Sequence, residues 1–167
     1  IMSVNIALLT VTDTRSLETD KSGNILVEKI NKAKHNLVER KICKDNKEDI
    51  KIILKEWTHK KNLDVIITTG GTGLTGRDIT PEALDEIADK HIPGFGEIFR
   101  YYSLETVGTS SIQSRACAIL SNGKYIFALP GSSGGVTDAW DKILVHQLDI
   151  NNKPCNFVEL FPRLKEK

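Results

Sequence analysis

The chain has 167 residues, a length that suits one domain able to bury roughly 70% of the surface that its unfolded form exposes. Its residues are 40% hydrophobic and 27% charged, which is the composition of a soluble globular protein. A formal net charge of +1 argues against a nucleic-acid-binding protein or a protein drawn to anionic membranes by general electrostatic attraction.

The cysteines and the apolar runs bear on the cellular setting. Cys43, Cys117 and Cys155 are odd in number and widely spaced, so neither a disulfide scaffold nor a zinc site is expected, and a reducing compartment is the simplest context. No run reaches the ~18 apolar residues of a transmembrane helix, and no signal peptide precedes the first apolar segment. We therefore expect residues 1–167 to form a single cytoplasmic domain.

Strands and helices alternate in the first part of the chain. Val4–Val11 is a short apolar run, typical of a parallel strand buried on both faces. A polar stretch follows, and then Leu26, Ile30 and Ala33 recur at the spacing of a helix. Leu37–Cys43 predicts a weaker and more peripheral strand.

The second helix has the clearest periodicity. Its apolar residues stand at i, i+3, i+4 and i+7, which predicts one buried face: Ile50, Ile53, Leu54 and Trp57. Asp45, with Glu48 three residues later, resembles a capping box at the start of this helix. Leu63–Thr69 is then a β-branched strand that runs directly into a glycine-rich loop.

A third helix follows that loop, with Pro81 at its first position and Thr80 as its cap. Its apolar stripe is Leu84, Ile87 and Ala88.

The second half continues the alternation less regularly. After Pro93 and Gly94, the aromatic residues of the next segment face several directions, which suits a lid or an oligomer interface. Ser110–Leu120 predicts a helix and Lys124–Leu129 a strand that ends in a second glycine loop. The last helix and an irregular tail from Asn151 complete the chain. The apolar face of that helix is Val136, Ala139, Trp140, Ile143 and Leu144.

This order of elements predicts an α/β sandwich with a mostly parallel sheet. Ligands bind such sheets in the crevice beyond the carboxyl ends of the strands. Three loops leave those ends, and two of them are rich in glycine: residues 12–22, 70–80 and 130–135. The site is therefore expected where these loops meet.

The stretch Thr68–Ala83, TTGGTGLTGRDITPEA, contains G-x-G-x-x-G at Gly71, Gly73 and Gly76. In a dinucleotide-binding fold the third glycine opens a helix and the motif follows the first strand. Here Pro81 delays the helix, and the motif follows the third strand. A nicotinamide oxidoreductase is therefore disfavoured.

The same segment nearly matches the P-loop motif G-x-x-x-x-G-K-[ST]. That loop requires a lysine for the β- and γ-phosphates and a hydroxyl for magnesium. Arg77 and Asp78 occupy those two positions, and a carboxylate does not replace the hydroxyl. The P-loop interpretation is disfavoured as well.

A third interpretation keeps the phosphate cradle without either motif. Gly70, Gly71 and Gly73 allow the backbone to bring its N–H groups close to an anion, and Asp78 supplies an oxygen ligand for magnesium. The alternative is a purely structural turn in which Asp78 forms an Asx-turn before Thr80. The residues alone leave both open.

Two other features have two interpretations each. Asp45 follows the second strand and could be a second magnesium ligand, or only a helix cap. The turn Pro130–Gly135, PGSSGG, could hold a phosphate through its N–H groups and Ser132, or simply connect a strand to a helix.

At these residues the sequence resembles the MoaB/Mog family of molybdenum-cofactor biosynthesis proteins, and its MoaB branch in particular. The resemblance runs over residues 4–158 and rests on motifs in family order: TTGGTGLTGRDITPEA, PGFGEIFRYYS, GTSSIQSRA, ALPGSSGG and KPCNF. It implies a three-layer α/β/α sandwich, the molybdopterin-binding fold, assembled as a homo-oligomer, either a trimer or a hexamer.

The resemblance also implies an activity, Mg²⁺- and ATP-dependent adenylylation of molybdopterin that releases pyrophosphate. It names the molybdate-insertion protein of the pathway as a candidate partner. The alternative is a protein of the same pathway that binds molybdopterin or nucleotide without catalysis.

The resemblance also implies roles for the residues of this sequence that match the family's site by position. Asp45 and Asp78 match the family's catalytic, magnesium-binding acids. The nucleotide loop matches Gly70, Gly71, Thr72 and Gly73. The pterin side matches Ser103, Ser114, Arg115, Pro130, Gly131 and Ser132. Candidate phosphate partners are Arg77, Arg100 and Arg115.

Overall fold

The computed structural model describes residues 2–167, which build a six-stranded sheet in the order β2-β1-β3-β6-β5-β4. The first four strands in that order are parallel, whereas β5 and β4 are antiparallel to their neighbours. The mostly parallel sheet is confirmed. The strands are β1 Asn5–Val11, β2 Asn36–Cys43, β3 Val65–Thr69, β4 Lys90–His91, β5 Cys117–Ser121 and β6 Lys124–Leu129.

Helices cover both faces of the sheet. The last long helix contains a π-helical stretch at Trp140–Leu144, between α5 and the short α6. Two 3₁₀ helices lie at Gly108–Gln113 and Val158–Arg163. The α-helices are α1 Lys21–Lys32, α2 Lys47–Thr58, α3 Thr80–Asp85, α4 Pro93–Val107, α5 Ser133–Ala139 and α6 Val145–Gln147.

The alternation of side chains along β1 explains the three layers, because successive residues of a strand point to opposite faces. Ile6 and Leu8 enter one core, together with residues of α1, α4 and α5. Ala7 and Leu9 enter a second core, together with residues of α2 and α3. The predicted three-layer α/β/α arrangement is therefore confirmed. Each fully buried aliphatic side chain contributes about 1.5–3 kcal/mol to this packing.

The predicted helix over Ser110–Leu120 is wrong. The 3₁₀ helix ends at Gln113, and Cys117–Ser121 forms β5, which pairs with β6 on one side and β4 on the other. Residues 118–121 are buried because both faces of this strand are covered. A short apolar run of this kind is compatible with a buried strand or with a helix, and here the sheet determined the outcome.

Both predicted helix caps are also wrong. Asn46, not Asp45, caps α2, because its side chain accepts the Asp49 N–H. Thr80 is the first residue of α3, and its hydroxyl donates to the Gly70 carbonyl at 2.9 Å instead of capping the helix. The Asp45 carboxylate is therefore not used in capping.

The aromatic segment after Pro93 forms α4. Phe95 and Phe99 enter the core, while Ile98, Tyr101 and Leu104 are exposed. The predicted use of this segment as a lid or an oligomer interface stays a prediction. None of the helices within residues 2–167 has both the length and the apolar character needed to cross a bilayer.

Candidate functional site

The carboxyl ends of the four parallel strands meet at one edge of the sheet, and each is followed by a polar or glycine-rich loop. Asp13 follows β1, Asp45 follows β2, the glycine loop from Gly70 follows β3, and Pro130–Gly135 follows β6. This is the crevice in which α/β sheets bind ligands. The structure thus places the predicted loops at one edge.

Gly70 and Gly71 make the sharp turn out of β3. Their φ angles are +103° and +72°, in the region that side chains strongly disfavour. A Cβ on Gly70 would stand 2.2 Å from the Val11 carbonyl oxygen, and one on Gly71 would stand 2.3 Å from the Thr80 hydroxyl. By contrast, a Cβ on Gly76 would meet nothing within 4 Å. The first two glycines are therefore required by geometry, whereas Gly76 is not.

The turn leaves backbone donors without partners. The Gly70 N–H donates to the Leu129 carbonyl, and the Thr80 N–H donates to the Gly71 carbonyl. The N–H groups of Gly71 and Thr72 have no hydrogen-bond acceptor within residues 2–167, although Thr72 is buried. Buried donors of this kind are normally satisfied by water or a ligand. This part of the loop suits an anion.

Asp78 reaches back to the glycine loop. Its Oδ2 accepts the Thr75 N–H at 2.9 Å and the Thr75 hydroxyl at 2.8 Å. Although partial burial acts in the opposite direction, these hydrogen bonds hold the pKa of Asp78 below its usual value. The predicted Asx-turn before Thr80 is not formed, because the Thr80 N–H is bonded to Gly71. The lowered pKa favours the charged form of Asp78, and within residues 2–167 both Thr75 donors lie on Oδ2 and not on Oδ1.

Asp45 sits in an acidic neighbourhood. Partial burial and the nearby carboxylates of Asp13 and Asp78 raise the pKa of Asp45, although Arg77 acts in the opposite direction. Within residues 2–167 its carboxylate accepts no N–H or O–H donor and forms no ion pair. A carboxylate held near two others without such a partner is suited to a cation.

Asp13 is a site residue that the sequence interpretation missed. Its Oδ1 accepts the Asp45 N–H at 3.1 Å, and its Oδ2 pairs with Arg77. The Asp45 N–H and Arg77 both lower the pKa of Asp13. Its position two residues after a buried strand, at the same edge as the glycine loop, was the available signal.

The three candidate arginines have different surroundings. The Arg77 side chain is 71% exposed and pairs with Asp13 at the mouth of the site. Arg100 donates to the Ser114 and Ala116 carbonyls, which fixes the entry to β5. Arg115 pairs with Glu82 and donates to the Gly73 carbonyl. Of the three, Arg77 is the most accessible to a ligand.

Two cavities adjoin at this edge of the sheet. One, of about 370 Å³, is lined by residues of the glycine loop, Asp78 and Gln113. The other, of about 600 Å³, lies between α4 and the start of α5 and is rich in hydroxyl groups. Ser114, Pro130 and Ser132 line both cavities, so the two form adjacent parts of one cleft.

The cleft brings together most of the residues predicted for the site. Among residues carried over to the pterin side, Ser103 lines the larger cavity and Gly131 the smaller one. Gly70 forms the turn behind the cleft, and neither Asp45 nor Arg115 lines either cavity. The Ser132 hydroxyl accepts the Gly135 N–H at 3.1 Å and so caps α5 while also lining the cleft.

Magnesium fits these residues better than a transition metal does. No three His, Cys, Asp or Glu side chains in the described chain, residues 2–167, converge as a ready metal cage. Magnesium does not need one, because it takes one or two carboxylates and completes its shell with water and phosphate oxygens. Asp45, whose carboxylate accepts no donor within the described chain, and Asp78 are the two carboxylates that could hold it.

Comparisons with known proteins agree with this architecture. A family model described as "Probable molybdopterin binding domain" matches residues 7–150. The chain is 43% identical over 161 residues to molybdenum cofactor biosynthesis protein B of Escherichia coli K12, covering 96% of this chain and 93% of that protein. It is 44% identical over 146 residues to the protein of the same name from Bacillus cereus, covering 87% and 86% of the two chains.

Solved structures are similar as well. A crystal structure of a molybdenum cofactor biosynthesis protein B has a TM-score of 0.89 and 38% identity, covering 99% of this chain and 98% of that one. The tungsten cofactor synthesizing protein MoaB from Pyrococcus furiosus has a TM-score of 0.76 and 36% identity, covering 85% and 91%. The chain therefore belongs to the MoaB family of molybdenum cofactor biosynthesis proteins.

Proposed function

We propose that the protein adenylylates molybdopterin with Mg-ATP. The terminal phosphate oxygen of molybdopterin attacks the α-phosphorus of ATP, the bond from that phosphorus to the bridging oxygen breaks, and pyrophosphate leaves with the bond's electrons. The observation that carries the proposal is the pair of adjoining cavities that share Ser114, Pro130 and Ser132. Two substrates bound in them would meet end to end at that shared wall.

The smaller cavity suits the nucleotide phosphates. The unpaired N–H groups of Gly71 and Thr72 are donors fixed in place before a ligand arrives, so they can bind phosphate oxygens with little reorganisation. Arg77 is exposed at the mouth of the site and is the cation best placed to meet the outer phosphates. Its pairing with Asp13 would be exchanged for pairing with phosphate.

The acidic residues suit the metal of Mg-ATP. Asp45 and Asp78 would hold the ion, and Asp13 would support them by fixing the Asp45 backbone through its N–H. Bound there, magnesium would neutralise charge on the phosphates that surround the reacting phosphorus. Because the attacking group is already a phosphate anion, none of these carboxylates has to act as a general base.

The larger cavity suits molybdopterin. Its volume of about 600 Å³ lies in the range of small-molecule sites, and its wall offers hydroxyl groups beside the ring of Phe99. Hydroxyl groups of this kind would bind the polar edge of a bicyclic heterocycle. The residues with hydroxyl groups are Ser103, Thr106, Ser110, Ser111, Ser114, Ser132, Ser133 and Thr137.

The test is to mix the purified protein with ATP, Mg²⁺ and molybdopterin and to measure pyrophosphate and adenylylated product. Asp78→Asn is expected to lower turnover on the order of 10²-fold, as when one electrostatic stabiliser of a transition state is lost. Asp141→Asn is the matched control, because Asp141 lines neither cavity and pairs with Lys29 at the surface.

Two results would contradict the proposal. Failure of the wild-type protein to form pyrophosphate, while an active homologue succeeds in parallel, would exclude the reaction. Binding of ATP and molybdopterin without turnover would then favour the non-catalytic binding protein. Unchanged turnover of Asp78→Asn would remove Asp78 from the role given to it.

A further inference from the structure

Arg115 lies behind the glycine loop and contacts it at several points. Its backbone N–H donates to the Thr72 carbonyl at 2.8 Å, and its Nε donates to the Gly73 carbonyl at 2.7 Å. Its Nη2 donates to the Asp78 carbonyl at 2.8 Å. One residue thus joins both ends of the segment between the anion-binding turn and the candidate metal ligand.

Glu82, in α3, holds the guanidinium of Arg115 in this position. Its Oε1 pairs with Nη1, and its Oε2 accepts from Nη2 at 3.3 Å. This ion pair keeps the pKa of Glu82 below its usual value and raises that of Arg115. Two carbonyls and a carboxylate therefore occupy most of the five N–H donors that a guanidinium has. Little donor capacity is left for a substrate.

The contacts fix the direction of the loop's own donors. In a trans peptide the C=O and N–H groups point in opposite directions. Holding the Thr72 carbonyl therefore fixes the opposite direction of the Gly73 N–H, which hydrogen-bonds to the Asp78 carboxylate. Neither Arg115 nor Glu82 lines the cleft. Their effect on a ligand must pass through the loop.

We propose that Arg115 and Glu82 form a clamp that keeps the glycine loop and Asp78 in the arrangement that binds nucleotide phosphates. The clamp deepens the proposed function and rests on it. Arg115 is accordingly a positioning residue of the loop and not a ligand of phosphate or pterin. This assigns it a different role from the pterin contact that the family resemblance implies.

Glu82→Gln distinguishes the two roles of Arg115, because they predict opposite changes in Mg-ATP affinity. If Arg115 were a phosphate ligand, Glu82 would compete with the phosphate, and Glu82→Gln would tighten Mg-ATP binding. If the pair is a clamp, Glu82→Gln loosens the guanidinium and weakens binding. Arg115→Lys adds a second distinction, because it keeps the charge but cannot span two carbonyls and a carboxylate.

The experiment measures amide hydrogen exchange in the free protein and Mg-ATP binding by calorimetry. The reporters are the N–H groups of Asp78, bonded to Thr75, and of Thr80, bonded to Gly71. We expect both to exchange about tenfold faster in Arg115→Lys and several-fold faster in Glu82→Gln, because loop amides report local opening. Mg-ATP should bind about tenfold more weakly to Arg115→Lys.

Arg163→Lys is the matched control. Arg163 forms a similar two-point pair with Glu166, at 2.9 and 3.2 Å, near the end of the chain. This variant should change neither loop exchange nor Mg-ATP affinity. Melting temperatures should stay close to wild type in all three variants, since partly exposed ion pairs contribute little to global stability.

Tighter Mg-ATP binding by Glu82→Gln, or unchanged exchange at Asp78 and Thr80 in Arg115→Lys, would overturn the clamp. The exchange measurement needs no ligand, so it separates failure of the clamp from failure of the proposed function. If wild-type protein binds no Mg-ATP but its loop opens in Arg115→Lys, the proposed function fails while the clamp remains.

Discussion

Alanine at Gly70 is expected to damage the structure far more than alanine at Gly76, although both glycines belong to the same loop. At Gly70 the new Cβ would stand 2.2 Å from the Val11 carbonyl oxygen, at a φ of +103°. Val11 is the last residue of β1, so the contact is relieved only if a strand end moves. At Gly76 nothing lies within 4 Å of the new methyl group, and φ is not positive.

The magnitudes follow from these two environments. A positive φ costs a side-chain residue about 1–2 kcal/mol, and overpacking against rigid neighbours adds about 1–3 kcal/mol. Gly70→Ala should therefore lower the free energy of unfolding by about 2–5 kcal/mol, which is a fall in Tm of roughly 5–20 °C for a chain of this size. Gly76→Ala should be neutral or stabilising by up to about 1 kcal/mol, because it restricts the unfolded chain.

The assay is urea unfolding of wild type and both variants, followed by circular dichroism, with Mg-ATP titrated into each folded protein. Gly70→Ala should also bind Mg-ATP more weakly, because the N–H groups of the turn are displaced. A Gly70→Ala protein that unfolds within about 0.5 kcal/mol of wild type would refute the reasoning. Equal destabilisation by the two substitutions would refute it too, since only Gly70 is closely packed.

Three further outcomes are expected. Asp45→Asn should slightly raise the melting temperature of the metal-free protein, because the raised pKa of Asp45 means that its charge is unfavourable in the fold. A lower melting temperature would contradict this. Glu86, whose pKa two lysines lower to about 2, should stabilise the fold at neutral pH. That contribution, measured against Glu86→Gln, should disappear as pH falls from about 4.5 towards 2, because the pKa of Glu86 is lower in the folded state than in the unfolded state. A stability difference that does not change with pH would contradict this prediction. In a timed alkylation at pH 8 followed by mass spectrometry, the exposed Cys155 should react first and Cys43 last. Burial raises the pKa of Cys43 to about 12, so little of its reactive thiolate is present. Early labelling of Cys43 would contradict this prediction.

The sequence predicts the parallel half of the fold well because periodicity and burial agree there. The apolar runs that became β1, β3 and β6 are short and continuous, as strands covered on both faces must be. The stripe of α2 predicts the side chains that are buried, among them Ile50, Leu54 and Trp57. Each of these elements could be read from neighbouring residues alone.

The antiparallel edge could not be predicted in the same way. The apolar residues of β5 are compatible with a helix or a strand until pairing with β6 is known. β4 consists of Lys90 and His91, two exposed residues with no apolar pattern at all. Whether Asp45 or Asn46 caps α2 depends on the backbone angle at one residue, because both side chains can accept the hydrogen bond.

For the site, the sequence indicated the loops but not the contacts between them. Glycine spacing identified the turn, and the strand order explains why Asp45 and Asp78 lie at the same edge. The pairing of Arg115 with Glu82 links residues 33 positions apart, and no local pattern reports it. That Asp45 and Asp78 hold magnesium and the glycine loop holds phosphate remains a prediction.

A crystal structure of the protein with ATP and Mg²⁺ would test the central claim most directly. We predict one magnesium ion bound by the carboxylates of Asp45 and Asp78, with the triphosphate against the N–H groups of Gly71 and Thr72. A nucleotide bound elsewhere, or a magnesium ion that contacts neither aspartate, would contradict the account.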